Sequence, residues 1–165
     1  MTQTSIAAAT TMSTTEMQTF VYNYTQAICE SDVAALTTYK SPDAISASGQ
    51  EPGRVMSAEE LNAYIEERQW SFPDFKFEAS NIIVSPRTGI ATFEWKVSGH
   101  FTNPFKGIPP NGNLVVQHGT TELQIEGKQI VRETSYQDMN AFMAQLTAPP
   151  KEPIAESEIG ADPAK

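Results

Sequence analysis

The sequence contains a single cysteine, Cys29, and has fewer basic than acidic side chains. One cysteine cannot form an intrachain disulfide, so we expect a reducing compartment. The 11 Lys and Arg residues against 20 Asp and Glu residues give a net charge of −9. Nucleic acids and anionic membrane surfaces repel an acidic protein, so neither is expected as a partner.

Long apolar runs are also missing. No segment approaches the roughly 20 apolar residues that cross a membrane, and residues 1–16 lack the basic start and long apolar centre of a signal peptide. We therefore expect a cytoplasmic protein. Nothing resembles a phosphate-binding loop, a dinucleotide-binding glycine pattern or a nucleophilic serine elbow. The two histidines, His100 and His118, lack the spacing of metal ligands and are expected on the protein surface.

The 165 residues, of which 39% are hydrophobic, suffice for one domain with a core. Residues 1–12 are small and polar, and residues 148–165 are rich in Pro, Ala and Glu. Both ends are predicted to be disordered. The folded body is therefore predicted to span residues 13–147.

The first half of this body shows the signals of three helices. Ser13 with Glu16, and Ser57 with Glu60, have the spacing of capping boxes at helix N-termini. Ser31 is predicted to cap a short helix between them. The second and third helices are separated by a predicted strand at 44–48 and a predicted turn at 50–54.

From Phe72 onward, apolar and polar residues alternate, as in half-buried strands. Two β-rich runs, Leu114–Ile125 and Gln129–Tyr136, are joined by a turn at 126–128, which predicts a hairpin. Helices followed by an antiparallel meander indicate an α+β fold, in which the helices cover the apolar face of the sheet.

Asp138 stands where the second hairpin strand meets a short helix. This helix has an apolar face made of Met139, Phe142, Met143 and Leu146. A carboxyl group beside an apolar pocket has a raised pKa and can exchange protons near neutral pH, which favours a general acid/base. The alternative is that Asp138 is only the N-cap of the helix, a position where Asp is common.

Five short phrases resemble the SnoaL-like polyketide cyclases, or ester cyclases, of the nuclear transport factor 2-like superfamily. They are FPDF at 72–75, GIPPNG at 107–112, GK at 127–128, YQDM at 136–139 and QL at 145–146. The resemblance implies a cone, in which a strongly curved antiparallel sheet wraps against three N-terminal helices and a short C-terminal helix, around an apolar pocket. It also implies that no metal or organic cofactor is used and that two copies form a homodimer, which we expect through the polar outer face of the sheet.

In the cyclases, the aspartate in the position of Asp138 is the acid/base of an intramolecular aldol closure. Pocket-lining roles are expected for six further residues, each of which has ordinary packing as its alternative. They are Tyr136, Gln117, Trp95, Phe93, Phe72 and Phe105. Tyr136 shares the face of Asp138 if the strand is regular, whereas Gln117 faces inward by strand alternation.

The chain also differs from the cyclase pattern. No histidine follows Pro42-Asp43, His100 comes one position early, and Asn111 replaces a usual threonine. Our first hypothesis is a cofactor-free acid/base enzyme that cyclises or isomerises a small hydrophobic carbonyl-bearing substrate. The second is a non-catalytic module that binds a ligand or a protein, and the third is a hydrolase or dehydratase of the same superfamily.

Overall fold

The computed structural model describes residues 11–48, 51–54 and 56–151. The elements, in chain order, are α1 (Thr14–Glu30), α2 (Val33–Tyr39), β1 (Lys40–Ser48), β2 (Glu51–Arg54), α3 (Ala58–Ser71), β3 (Lys76–Ser85), β4 (Ile90–His100), β5 (Leu114–Glu126), β6 (Gln129–Gln137) and α4 (Met139–Thr147). This arrangement confirms the predicted α+β fold with three N-terminal helices and a short C-terminal helix. No helix in the described ranges is long and apolar enough to cross a bilayer.

The described strands form one sheet in the order β2-β1-β6-β5-β4-β3. β1 and β6 run parallel, and the other neighbouring pairs run antiparallel. The sheet was predicted to be antiparallel, and the parallel pairing of β1 with β6 makes it mixed. A parallel pair needs a long crossover, and here everything from β2 to β5 lies between the two strands.

Part of the predicted turn at 50–54 is a strand instead. Glu51–Arg54 pairs antiparallel with β1, whereas residue 50 lies outside the described residues. Pro52 lacks a backbone N–H, and β2 tolerates it because it lies at one end of the described sheet, where a ladder hydrogen bond can be missing.

The helix starts follow the sequence signals with one exception. Both predicted capping boxes, at Ser13 and at Ser57, are formed. Ser31, however, does not cap the second helix. It ends α1 in the left-handed conformation, with φ 54°, and the neighbouring Asp32 caps α2 by accepting a 3.0 Å hydrogen bond from the Ala35 N–H. Asp and Ser are about equally good N-caps, so their order along the chain did not identify the cap.

The predicted hairpin is confirmed as β5 and β6. Gly127 and Lys128 connect the strands, and both have positive φ, at 53° and 63°. Two consecutive residues with positive φ are typical of the type I′ turn, whose twist matches that of the strands.

The main core lies between α1 and the inner face of the sheet. Its largest buried side chains come from both layers: Met17, Val21 and Tyr24 from α1, and Phe93, Leu123, Ile125 and Ile130 from the sheet. Met12 is buried in the same cluster. The folded body therefore begins before the predicted boundary, since a buried residue just ahead of an N-cap can pack against the first turns of the helix.

A second, smaller core closes the other end of the molecule. It is made of Phe72, Phe101, Phe105, Val115 and Leu146, with Phe142 packed against it. The predicted apolar face of α4 is thus only half covered, because Met139 and Met143 are each 40% exposed.

The chain beyond α4 is bound to the loop before β5. Asn111 Nδ2 donates to the Ala148 carbonyl at 2.9 Å, and Asn113 Nδ2 donates to the Pro149 carbonyl at 3.0 Å. The Lys151 N–H donates to Asn113 Oδ1 at 2.8 Å. The predicted tail is therefore part of the fold at least through residue 151, and residues 152–165 lie outside the described residues.

Candidate active site

A cavity of about 1230 Å³ lies between the helices and the inner face of the sheet. It exceeds the usual range of ligand sites, about 300–1,000 Å³. Five of the six expected pocket residues line it: Gln117, Trp95, Phe93, Phe72 and Phe105. Strand alternation placed the first three correctly, because β4 and β5 pair in continuous register throughout this region.

Aromatic rings form one wall of the cavity. The Phe72 ring stacks on Phe101 at a centroid distance of 5.3 Å and meets Phe105 edge-on at 5.9 Å. Phe105 in turn meets Phe142 of α4 edge-on at 6.3 Å. This chain of rings joins α3, the loop before β5 and α4 into one apolar surface that suits a hydrophobic ligand.

A row of hydrogen bonds crosses the cavity floor. Trp95 Nε1 donates to Thr121 Oγ1 at 3.0 Å, and Thr121 Oγ1 lies 2.9 Å from Ser135 Oγ. The row ties β4, β5 and β6 together through side chains that all line the cavity. It satisfies polar groups that would otherwise be buried without partners.

Gln117 brings an unsatisfied donor to the cavity. Its side chain is buried, and Nε2 has no hydrogen-bond partner among the described residues. An unpaired buried amide costs about 1–3 kcal/mol, so a ligand atom that accepts this hydrogen bond would be favoured.

Asp138 lies outside the cavity, which corrects the expectation that it faces an apolar pocket. Its side chain is exposed, and Oδ1 accepts a 2.9 Å hydrogen bond from the Ala141 N–H as the N-cap of α4. The alternative interpretation, a plain helix cap, describes this geometry. As an N-cap, the carboxylate accepts a hydrogen bond from a backbone N–H that has no partner within the helix.

Tyr136 was also placed wrongly. It is 56% exposed and borders a shallow depression of about 600 Å³ on the outer face of the sheet, where His118 also lies. The reason is a register shift: Ile125 pairs with Ile130, but Gln124 pairs with Arg132. One extra residue in β6, a β-bulge, reverses the facing of every residue after it.

The same bulge turns Glu133 inward, where it forms a polar cluster that strand alternation could not predict. Tyr24 Oη donates to Glu133 Oε2 at 3.0 Å, and Lys40 Nζ lies 2.6 Å from the same oxygen. The Lys40 and Glu133 side chains are only 18% and 15% exposed. All three residues line the cavity.

Burial, together with the Glu133 carboxylate, raises the pKa of the Tyr24 phenol well above its usual value. Tyr24 therefore stays a hydrogen-bond donor at neutral pH. Glu133 Oε2 accepts from both partners, and Oε1 has no hydrogen-bond partner among the described residues. One carboxylate oxygen is thus held in place while the other remains free to accept a proton.

His100 lies on the surface, as expected, but it is paired. Its Nδ1 is 2.6 Å from Asp74 Oδ2, and its backbone N–H donates to Asp74 Oδ1 at 2.7 Å. These hydrogen bonds lower the pKa of the Asp74 carboxyl. Across the described residues, no group of three or more His, Cys, Asp or Glu side chains is placed to hold a metal ion.

Residues 18–146 match the SnoaL-like polyketide cyclase family. The chain belongs to this family. The match runs from the second turn of α1 to the last turn of α4 and includes every cavity residue named above. A comparison with curated protein sequences finds no match.

Solved structures show the same nuclear transport factor 2-like fold. AclR of Streptomyces galilaeus, described as a candidate hydroxylase, superposes with a TM-score of 0.67 at 20% identity, over 81% of this chain and 97% of that one. A candidate SnoaL-like polyketide cyclase from a Jannaschia species gives 0.65 at 19% identity, over 84% and 98%. IdmH of Streptomyces antibioticus, a candidate polyketide cyclase, gives 0.62 at 20% identity, over 78% and 96%. Because all three sequence identities are about 20%, the similarity to these structures establishes a shared fold and nothing about activity.

Proposed function

We propose that this SnoaL-like protein is a cofactor-free cytoplasmic enzyme that cyclises or isomerises a small hydrophobic carbonyl compound, with Glu133 as its acid/base. The observation that carries the proposal is the Tyr24–Glu133–Lys40 cluster, which presents a carboxylate with one free oxygen to a cavity that has an aromatic wall. Family membership supports cyclase or isomerase activity.

The chemistry is that of a carbon acid. Glu133 removes a proton from the carbon beside a substrate carbonyl, and the electron pair of the broken C–H bond moves onto the carbonyl oxygen. The unpaired Gln117 Nε2 is a suitable donor to that developing oxyanion. In a cyclisation, the enolate carbon attacks a second carbonyl carbon of the same molecule, the C=O electron pair moves onto that second oxygen, and this oxygen takes the proton back from Glu133. In an isomerisation, Glu133 returns the proton to a different carbon of the enolate.

A second candidate function is ligand binding without catalysis. The same Glu133–Lys40 pair can serve as a buried ion pair that fixes β1 against β6. The family position expected for the acid/base, Asp138, lies outside the cavity. In this case the cavity keeps its size and its aromatic wall, and it binds its ligand without changing it.

A hydrolase or dehydratase, in which Glu133 activates water or removes a proton from an alcohol, is a third candidate.

We further propose that two copies associate through the outer face of the sheet. Tyr136 and Ile83 expose 56% and 67% of their surface among polar side chains. Replacing Tyr136 with Glu should shift the mass measured by light scattering from dimer to monomer. A monomeric wild-type protein contradicts this part of the proposal.

The enzyme and the binding module differ in their action on a model ketone. Incubation of the protein with 2-tetralone in D₂O, followed by proton NMR, reports removal of the α-protons without knowledge of the natural substrate. We expect exchange faster than in buffer, and inhibition by hydrophobic molecules that occupy the cavity. Binding of 2-tetralone, seen by Trp95 fluorescence in a Trp70→Phe variant that removes the other tryptophan, without faster exchange would support the ligand-binding function instead.

A further inference from the structure

Arg68, near the end of α3, brings a positive charge to the wall of the cavity. Its Nη2 donates to Ser31 Oγ at 2.9 Å, and its Cζ lies 3.8 Å from the centroid of the Phe75 ring. Nε is buried and has no hydrogen-bond partner among the described residues. The guanidinium thus lies over an aromatic ring, and its Nε is left without a partner.

The charge of Arg68 has no counterion in the described part of the chain. The ion pairs between described residues involve Lys40, Lys76 and His100 instead. Burial lowers the pKa of the Arg68 guanidinium, and the neighbouring Tyr64 only partly offsets this. A guanidinium nevertheless stays charged at neutral pH. Stacking on a ring recovers less free energy than removing a charge from water costs.

We propose that Arg68 binds a carboxylate of the cavity's ligand, so that the ligand is a hydrophobic organic acid. A planar guanidinium with free N–H groups matches a carboxylate better than any neutral oxygen. The inference rests on the proposed use of the cavity as a ligand site and is independent of the acid/base role of Glu133. The overall charge of −9 does not oppose it, because charges beyond about 8 Å are screened at physiological salt.

The carboxylate site is separate from the Glu133 cluster. Arg68 is anchored at Ser31, at the C-terminal end of α1, whereas Glu133 is anchored at Tyr24, seven residues earlier. At 1.5 Å per residue, these backbone positions lie about 10 Å apart along the helix. A ligand whose carboxylate contacts Arg68 therefore has room to place another part of its scaffold near Glu133 in the same cavity.

Two probes of nearly the same shape test the proposal: 2-naphthoate, which is anionic, and 2-naphthamide, which is neutral. Calorimetric titration of the full chain should show naphthoate binding about tenfold more tightly or better, as expected for a charge-assisted hydrogen bond. Arg68→Gln should bring the two affinities within about twofold while leaving that for naphthamide unchanged. Arg68→Lys, which keeps the charge but loses the planar fork, should retain part of the preference.

The exposed Arg132 provides the matched control. Arg132→Gln removes the same charge from β6 and should leave the preference for naphthoate intact. Equal wild-type affinities, a preference that survives in Arg68→Gln, or failure of both probes to bind would overturn the proposal. If Arg68→Gln does not fold, the Arg68→Lys titration decides, since a preference equal to that of wild type would show that the planar guanidinium does not bind the carboxylate. The titration measures binding alone, so its outcome is distinct from the proton exchange that tests the catalytic proposal.

Discussion

The indole ring of Trp95 lies directly against the α-carbon of Gly119, its register partner on the neighbouring strand. A Cβ atom at position 119 would clash with the six-membered ring of the indole. In this position Trp95 Nε1 reaches Thr121, which belongs to the hydrogen-bonded floor of the cavity. Because Gly119 on β5 has no side chain, the indole of Trp95, the largest side chain of β4, can form part of the cavity floor.

Replacing Gly119 with Ala should therefore move the indole and break its hydrogen bond to Thr121. Overpacking of this kind costs about 1–3 kcal/mol in the free energy of unfolding, which urea titration measures. The same replacement in a Trp95→Phe background should cost clearly less, because the smaller ring leaves room. An equal cost in both backgrounds would show that the ring is not the obstacle.

Asn111 connects the loop before β5 to the C-terminal end of α4. Its Nδ2 donates to the carbonyls of Gln145 and Ala148, each at 2.9 Å. Asn111→Asp keeps the shape but places a negative charge beside unpaired helix carbonyls, so unfolding free energy should fall by about 1–3 kcal/mol. Asn103→Asp is the matched control, because Asn103 Nδ2 donates to a single carbonyl, that of Trp70. A larger loss at Asn103 would contradict the assigned role of Asn111.

The Asp74–His100 pair predicts a dependence of stability on pH. Hydrogen bonds from His100 lower the pKa of Asp74 in the folded protein, so the pair stabilises the fold above the unfolded pKa, about 4. This contribution is lost as the pH falls through the lowered folded pKa. Asp74→Asn should therefore reduce the unfolding free energy at about pH 7, and the difference from wild type should vanish at about pH 2. Both carboxylate oxygens accept from His100, so a difference that persists at about pH 2 contradicts this assignment.

Local sequence signals predicted the parts of the fold that depend on neighbouring residues. The capping boxes at Ser13 and Ser57 and the turn at Gly127 follow from rules that act within four or five residues. The facing of β4 and β5 followed from alternation as long as the strands stayed regular. The inward facing of Phe93, Trp95 and Gln117 could therefore be predicted.

The polar end of the cavity could not be predicted in this way. It depends on the extra residue after Ile130, which turns Glu133 inward and Tyr136 outward. It also depends on the parallel pairing of β1 with β6, which brings Lys40 to Glu133 from a distant part of the chain. Neither a bulge nor a long-range pairing leaves a signal in the periodicity of one sequence. Asp138 shows the reverse case, since a residue typical of both a helix cap and a catalytic acid was found as the cap.

The most direct test of the account compares Glu133→Gln with Asp138→Asn in the exchange of 2-tetralone α-protons in D₂O. Each variant replaces a carboxylate with an amide of the same shape, and thermal melts confirm that both are folded. If Glu133 is the base, Glu133→Gln should slow exchange by about 10²- to 10⁴-fold. Asp138→Asn should stay within about twofold of wild type, because Asn also caps helices. Loss of exchange in Asp138→Asn with full activity in Glu133→Gln would contradict the account.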